Sequence, residues 1–267
     1  MSKLLKIVVL FLTPMYLLGQ ENCRISDIPF QLREKINYTV YYNWGFIWVS
    51  AGEVSFSIAD TIYENQAVFH FLGMGKTFKK YDWFYKVRDR YEVFSNKETL
   101  KPIHFIREVN EGSFHLHNEY RFDFGKNQLF SDVIDSKKSR ELDTIKITDC
   151  TFDAISMIYV ARCIDFSQYR VDDKIPITIV LDNKVHDIYI RYLGEERLEI
   201  KDKGVYNTLK FAPLLVEGSI FKGGEDMTVW VSNDDNRIPL QIKSEILVGS
   251  VNVIFDSLQG LKYPIDY

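Results

Sequence analysis

Cysteine and proline are scarce, at 3 and 7 residues in a chain of 267. Three thiols cannot staple a chain of this length into a disulfide scaffold, and so little proline excludes a linker-like polymer. Positive charge is not in excess either: 33 Lys and Arg face 37 Asp and Glu, for a formal charge of −4. That balance gives the chain as a whole no pull toward nucleic acid or an anionic membrane surface, and no nucleic-acid partner is expected. Beyond the first 20 residues, no apolar run approaches the roughly 20 residues that span a bilayer, so no transmembrane helix is expected in the mature chain. Also missing are a Gly-x-Ser-x-Gly elbow, a phosphate-cradling loop and the dinucleotide glycine fingerprint. Strands do not alternate with helices, which rejects a doubly wound fold. Without these constellations a non-catalytic role is expected, with no cofactor and no metal assigned.

What the chain has in abundance is aromatic side chains: 16 Tyr, 19 Phe and 4 Trp. With 46% hydrophobic and 26% charged residues it reads as globular.

The first residues speak to the compartment. Lys3 and Lys6 precede an apolar run from Ile7 to Leu12, and Leu17-Leu18-Gly19 follows. A basic start, a short apolar middle and a small residue describe a secretory signal peptide over residues 1–19, cleaved after Gly19. Its loss removes Lys3 and Lys6 and takes the formal charge from −4 to −6. Lipidation of Cys23 is disfavoured, because Gln20-Glu21-Asn22 before it are polar. In an oxidising compartment Cys23 and Cys150 can form a clip while Cys163 sits in an apolar helical stretch; three reduced, buried thiols are the alternative.

Residues 20–267 read as one all-β domain of curved antiparallel sheets, barrel-like or a sandwich, with one short helix near the middle. Large side chains alternate at Tyr38, Val40, Tyr42, Trp44, Phe46 and Trp48, a period-2 stripe expected to be core, in a strand pair or a bent strand over Lys35–Ala59. Ala51-Gly52 and Gly249 are placed where one backbone must approach another closely. Further strands are expected at Ala67–Gly73, Asp82–Phe94, Ile103–Val109, Phe114–Phe124 and Gln128–Asp132. A helix over Thr151–Ile164, capped by Thr151 or Asp153, joins two β-rich lobes at about 30–150 and 165–267. Strands in the second lobe are expected at Ile175–Leu181, Lys184–Tyr192, Arg197–Lys201, Gly204–Pro213, Met227–Ser232, Leu240–Leu247 and Gly249–Asp256.

The order of these pieces resembles the exported family catalogued as domain of unknown function 3108. The likeness rests on Glu34-Lys35-Ile36-Asn37-Tyr38, on Trp44 through Ala51-Gly52-Glu53, on Asp153-Ala154-Ile155-Ser156-Met157, and on Val229-Trp230-Val231-Ser232 leading to Arg237-Ile238-Pro239. Val248-Gly249-Ser250 closes it. The resemblance implies a secreted, curved-sheet or barrel-like domain without an agreed activity, and it brings no catalytic residues. The stretch Tyr41–Ala51 and the cysteines look like the Bacteroidetes-type branch, which implies a place in the periplasm or at the outer membrane.

For metal chemistry, His115 and His117 share one strand face with Glu119, and Asn233 to Asn236 cluster oxygens; an exposed strand face and a solvated turn explain them as well. The segment Tyr81, Trp83, Phe84 and Tyr85, with Arg88, is the candidate contact site, because consecutive aromatics must face both sides of any strand. Flat rings there could stack on a sugar or line a groove for an acyl chain. The function expected is an exported, envelope-associated protein binding an apolar or glycan-like ligand, or an envelope partner, on a concave β surface. A structural or interaction role without a small ligand, and an unrecognised hydrolase, are the alternatives.

Overall fold

The computed structural model describes residues 25, 27–217, 223–246 and 249–265. The signal-peptide segment 1–19 and Cys23 lie outside the described residues. Cys150 is disulfide-bonded, whereas Cys163 is a free, buried thiol.

The first half of the chain folds into β1 (Lys35–Trp44), β2 (Ile47–Tyr63), β3 (Gln66–Thr77), β4 (Arg88–Asn96), β5 (Pro102–Glu111), β6 (Phe114–Asp123), β7 (Gln128–Asp135) and β8 (Glu141–Lys146). A two-residue β9 (Thr151–Phe152) leads into the helix α1 (Ala154–Arg162). Then come β10 (Lys174–Leu181), β11 (Lys184–Ile200), β12 (Gly204–Pro213), β13 (Met227–Ser232), β14 (Pro239–Glu245) and β15 (Ser250–Gln259). Among the described residues these 15 strands form one sheet, in the order β8 back to β1, then β15 back to β9. Pairing is antiparallel except where β9 lies parallel to β10, and the halves join through β1 and β15.

The all-β, barrel-like expectation holds, as a large curved sheet that does not close. The β10–β11 turn is brought instead against the inner face of the first half, where Arg107 Nη1 donates to Asp182 Oδ1 at 2.8 Å. Ser131 Oγ donates to Asn183 Oδ1 at 2.7 Å, and the Asn183 amide donates to the Tyr120 hydroxyl at 2.9 Å. The seam is therefore held by side chains and a turn, not by a ladder.

Asp153 is the helix cap, accepting from the amides of Ile155 and Ser156 at 2.8 and 3.0 Å. The helix is shorter than Thr151–Ile164 because Thr151 and Phe152 are used as a strand. It lies inside the curl of the sheet. One side packs on the first half, where Tyr159 stacks on Phe71 with ring centroids 4.0 Å apart and Ile155 meets Val93 and Phe105 in one cluster.

At the end of α1, Arg162 forms a fork on Glu34, Nη1 to Oε1 at 2.5 Å and Nη2 to Oε2 at 3.0 Å, and also donates to the Asn236 carbonyl. Both ionic side chains are buried, at 3% and 1% exposure. One guanidinium thus ties the start of β1, the helix and the β13–β14 turn together.

Several elements differ from the sequence reading. The aromatic stripe is only partly core: Tyr38 is buried, but β1 and β2 turn at Gly45, leaving Phe46 fully exposed and Trp48 half-exposed. β4 begins at Arg88, not Asp82, because Lys79–Tyr81 form a 3-10 turn. β8 was not expected, since Glu141, Asp143 and Lys146 mask a strand pattern. β11 is one long strand rather than two, absorbing its irregularity in a bulge between Tyr192 and Gly194. Gly52 does permit a close approach: a Cβ there would stand 2.3 Å from the Lys76 carbonyl oxygen.

Candidate ligand cavity

A helix needs a second apolar stripe to bury a second side, and α1 has one. Ala154, Met157, Ile158 and Ala161, at offsets of three, four and seven, form it, although Met157 also belongs to the core shared with the first half. Opposite them, β10 presents Ile177, Ile179 and Leu181 at period 2, β11 presents Ile188 and Ile190, and β13 presents Met227, Val229 and Val231. These surfaces meet in part, since Ile177 and Ile179 pack against the cluster that includes Met157, and Ala161 against the one that includes Val231. Between them lies an apolar cavity of about 460 Å³, within the roughly 300–1,000 Å³ range of small-molecule sites.

Polar atoms at the wall are few and mostly occupied. The Tyr38 hydroxyl donates to the Pro239 carbonyl at 2.9 Å, and burial pushes its ionisation well up, with Arg162 acting the other way. Arg162 is spent on Glu34 and Asn236. Half-buried Arg237 donates to the Arg162 carbonyl at 3.1 Å and so closes the last turn of α1. These three groups mark the floor, beside the β13–β14 turn. At the other end, Leu214, Leu215 and Val216 leave β12 and line the wall. The Leu214 and Leu215 amides donate hydrogen bonds to the carbonyls of Tyr189 and Gly224 at 2.8 and 2.7 Å.

None of the candidate residues Tyr81, Trp83, Phe84, Tyr85 and Arg88 lines this cavity. They form a projecting loop in which Trp83 is 84% and Phe84 79% exposed. The Phe84 and Tyr85 amides both donate to the Tyr81 carbonyl, and Tyr85 lies over Gly112. Arg88 is used internally, donating to Asp82 Oδ2 at 2.6 Å and to the Thr77 carbonyl. Although desolvation acts the other way, the hydrogen bonds from Arg88 and from the Thr77 hydroxyl, which donates to Asp82 Oδ1 at 3.0 Å, hold Asp82 below the usual carboxylate range.

The histidines gather differently from the pairing of His115 with His117. On the outer face, Glu119 bridges His117 (Oε1 to Nε2, 3.1 Å) and His104 (Oε2 to Nε2, 3.2 Å), while His115 turns to Asn110. Burial, and then Arg121, keep the His104 imidazole less basic than usual. Among the described residues no group of three or more His, Cys, Asp or Glu is arranged to hold a metal ion. Asp234 accepts from the Asn236 and Arg237 amides and so shapes the acidic turn. Ser156 donates its hydroxyl to Asp153 Oδ2 at 2.6 Å as part of the helix cap.

The cavity residues went unnoticed in the sequence because their periodicity is that of any core. The one available signal was the helix, which is apolar on two sides although only one is needed for packing.

No curated protein matches the sequence. The fold is similar to that in the crystal structure of a beta-barrel-like protein of domain of unknown function DUF1849 from Brucella abortus, with a TM-score of 0.57 and 9% identity over 87% of this chain and 100% of that one. At that identity the likeness concerns the fold alone. The model of a family described as a protein of unknown function, DUF3108, matches residues 37–256, and the chain belongs to that family.

Proposed function

We propose that the protein is a non-catalytic carrier that holds one apolar chain, such as a fatty acyl group, between α1 and the inner face of β10–β15. The observation that carries this reading is the apolar cavity of about 460 Å³. Its wall favours hydrocarbon over sugar, because Tyr38, Arg162 and Arg237 already bond to protein carbonyls or to Glu34, and a glycan buried there would leave hydroxyls unpaired. An apolar enclosure does not hold water well, which leaves hydrocarbon as its natural filling.

The carrier acts outside the cytoplasm, in the bacterial envelope. The signal-like segment through Gly19 supports this, and so does the disulfide at Cys150, a bond typical of oxidising compartments. Fractionation that finds uncleaved protein in the cytoplasm would refute it.

The test of binding is native mass spectrometry of purified protein, followed by uptake of a fluorescent fatty acid after delipidation. Wild type should take up one chain per molecule. Ile179→Trp and Ile190→Trp, which put rings into the cavity, should not. Uptake by neither wild type nor variants, or equal uptake by all, refutes the carrier reading.

A further inference from the structure

We propose that the loops at the end of the sheet where Leu214 to Val216 line the cavity dock the protein onto an anionic lipid bilayer. The sheet places these loops together. β12 ends at Pro213, β13 begins at Met227, β14 ends at Glu245 and β15 begins at Ser250, which pairs with Asn43 beside the β1–β2 turn. Across β2, Gly52 pairs with Thr77 at the end of β3. The cavity wall at Leu214 to Val216, the Gly45-Phe46 turn and the loop from Phe78 to Val87 therefore lie at one end of the sheet.

Two of these loops carry large exposed rings. β2 runs five residues, Ile47 to Ala51, past the last pair it makes with β3, a projection of about 16 Å. At its tip Phe46 is fully exposed, and Trp48 is half-exposed and stacked on Tyr41. The Phe78 amide donates to the Ala51 carbonyl at 3.0 Å and ties the second loop to this hairpin. That loop offers Trp83 and Phe84, edge to face with centroids 5.9 Å apart.

The charge around these rings singles out the partner. Lys79, Lys80 and Lys86 are exposed and form no ion pair among the described residues, whereas Asp82, the one acid of the loop, is engaged by Arg88. In a chain with a formal charge of −4 this is a local excess of the opposite sign. Aromatic rings flanked by lysines suit the headgroup layer of a membrane, where rings enter the interface and ammonium groups meet lipid phosphates. A glycan would use the rings but not the lysines. Docked this way, the end of the cavity lined by Leu214 to Val216 faces the bilayer, the source of an acyl chain.

The test is flotation of the full chain with vesicles of phosphatidylethanolamine and phosphatidylglycerol, against vesicles of phosphatidylcholine alone. Wild type should float with the first at low salt and much less with the second. Phe46→Ser/Trp83→Ser/Phe84→Ser and, separately, Lys79→Glu/Lys80→Glu should each bind at least about tenfold more weakly. All the changed side chains are exposed, and circular dichroism checks that the variants keep the β-sheet spectrum. No flotation of wild type, or equal flotation of wild type and both variants, overturns the proposal. Because the readout is vesicle binding, it can fail while fatty-acid uptake persists, and the reverse.

Discussion

Arg162 and Glu34 meet as a doubly hydrogen-bonded ion pair sealed from water, 128 residues apart in sequence. Removing one partner leaves a buried charge without compensation. Glu34→Leu and Arg162→Met should each lower the unfolding free energy by about 3–5 kcal/mol, whereas the double variant Glu34→Leu/Arg162→Met should recover much of the loss. Chemical denaturation of the four proteins forms the cycle, and additive losses would show that the pair is not coupled.

Ala161 faces the cavity from the last turn of α1. Ala161→Phe, from a position that also packs on the core to either side, should extend into that space and raise the stability of the ligand-free protein by about 0.5–2 kcal/mol. A fall in melting temperature would mean that this wall is already closed.

Asp89 is pushed up to about 6, first by desolvation, with the Asn110 amide opposing and Glu111 adding to the rise. The native state then holds this proton more tightly than the unfolded chain, so stability is fully present below the ordinary value of 3.8 and is lost as pH rises through about 6. Asp89→Asn should flatten that slope between pH 4 and 6, as read from denaturation curves across the window. An unchanged slope would place the titration elsewhere.

The Cys163 thiol is pushed up to about 12, chiefly by burial. It should not react with a maleimide in the folded protein and should react once denaturant is added. Labelling under native conditions would show that the end of α1 opens.

Gly52→Ala places a methyl group 2.3 Å from the Lys76 carbonyl oxygen, which requires β2 and β3 to separate and should cost on the order of 2–3 kcal/mol. Gly75→Ala, whose added Cβ would meet its nearest atom at 3.9 Å, is the control in the adjacent strand.

The sequence exposes some of this architecture and hides the rest for definite reasons. Asp153 reads as a cap because an Asp before an apolar helical run has one good use, and Gly52 reads as a close approach because Ala51-Gly52 stands where a strand is expected to turn a corner. The fate of Phe46 was hidden, since period 2 survives a tight turn while the face that it marks does not. Tyr81 to Tyr85 look like strand because aromatic residues favour strands; what breaks the strand is the pairing of Asp82 with Arg88 and Thr77, a contact that composition does not announce. The cavity was the least legible feature. Ile177 and Ile179 have the spacing of Val93 and Phe105 and pack against the same core cluster, and only the third dimension reveals that they also border a void.

The open sheet ends in two unlike borders. A free strand edge is a template on which another chain can add, and such additions grow into aggregates. β8 carries Glu141, Asp143 and Lys146 on an almost wholly exposed strand, while β9 has only two residues. Charge discourages a newcomer at one border and brevity denies it a foothold at the other. The molecule can thus leave its barrel unsealed, with an interior reachable without tearing a ladder, and still resist recruiting copies of itself.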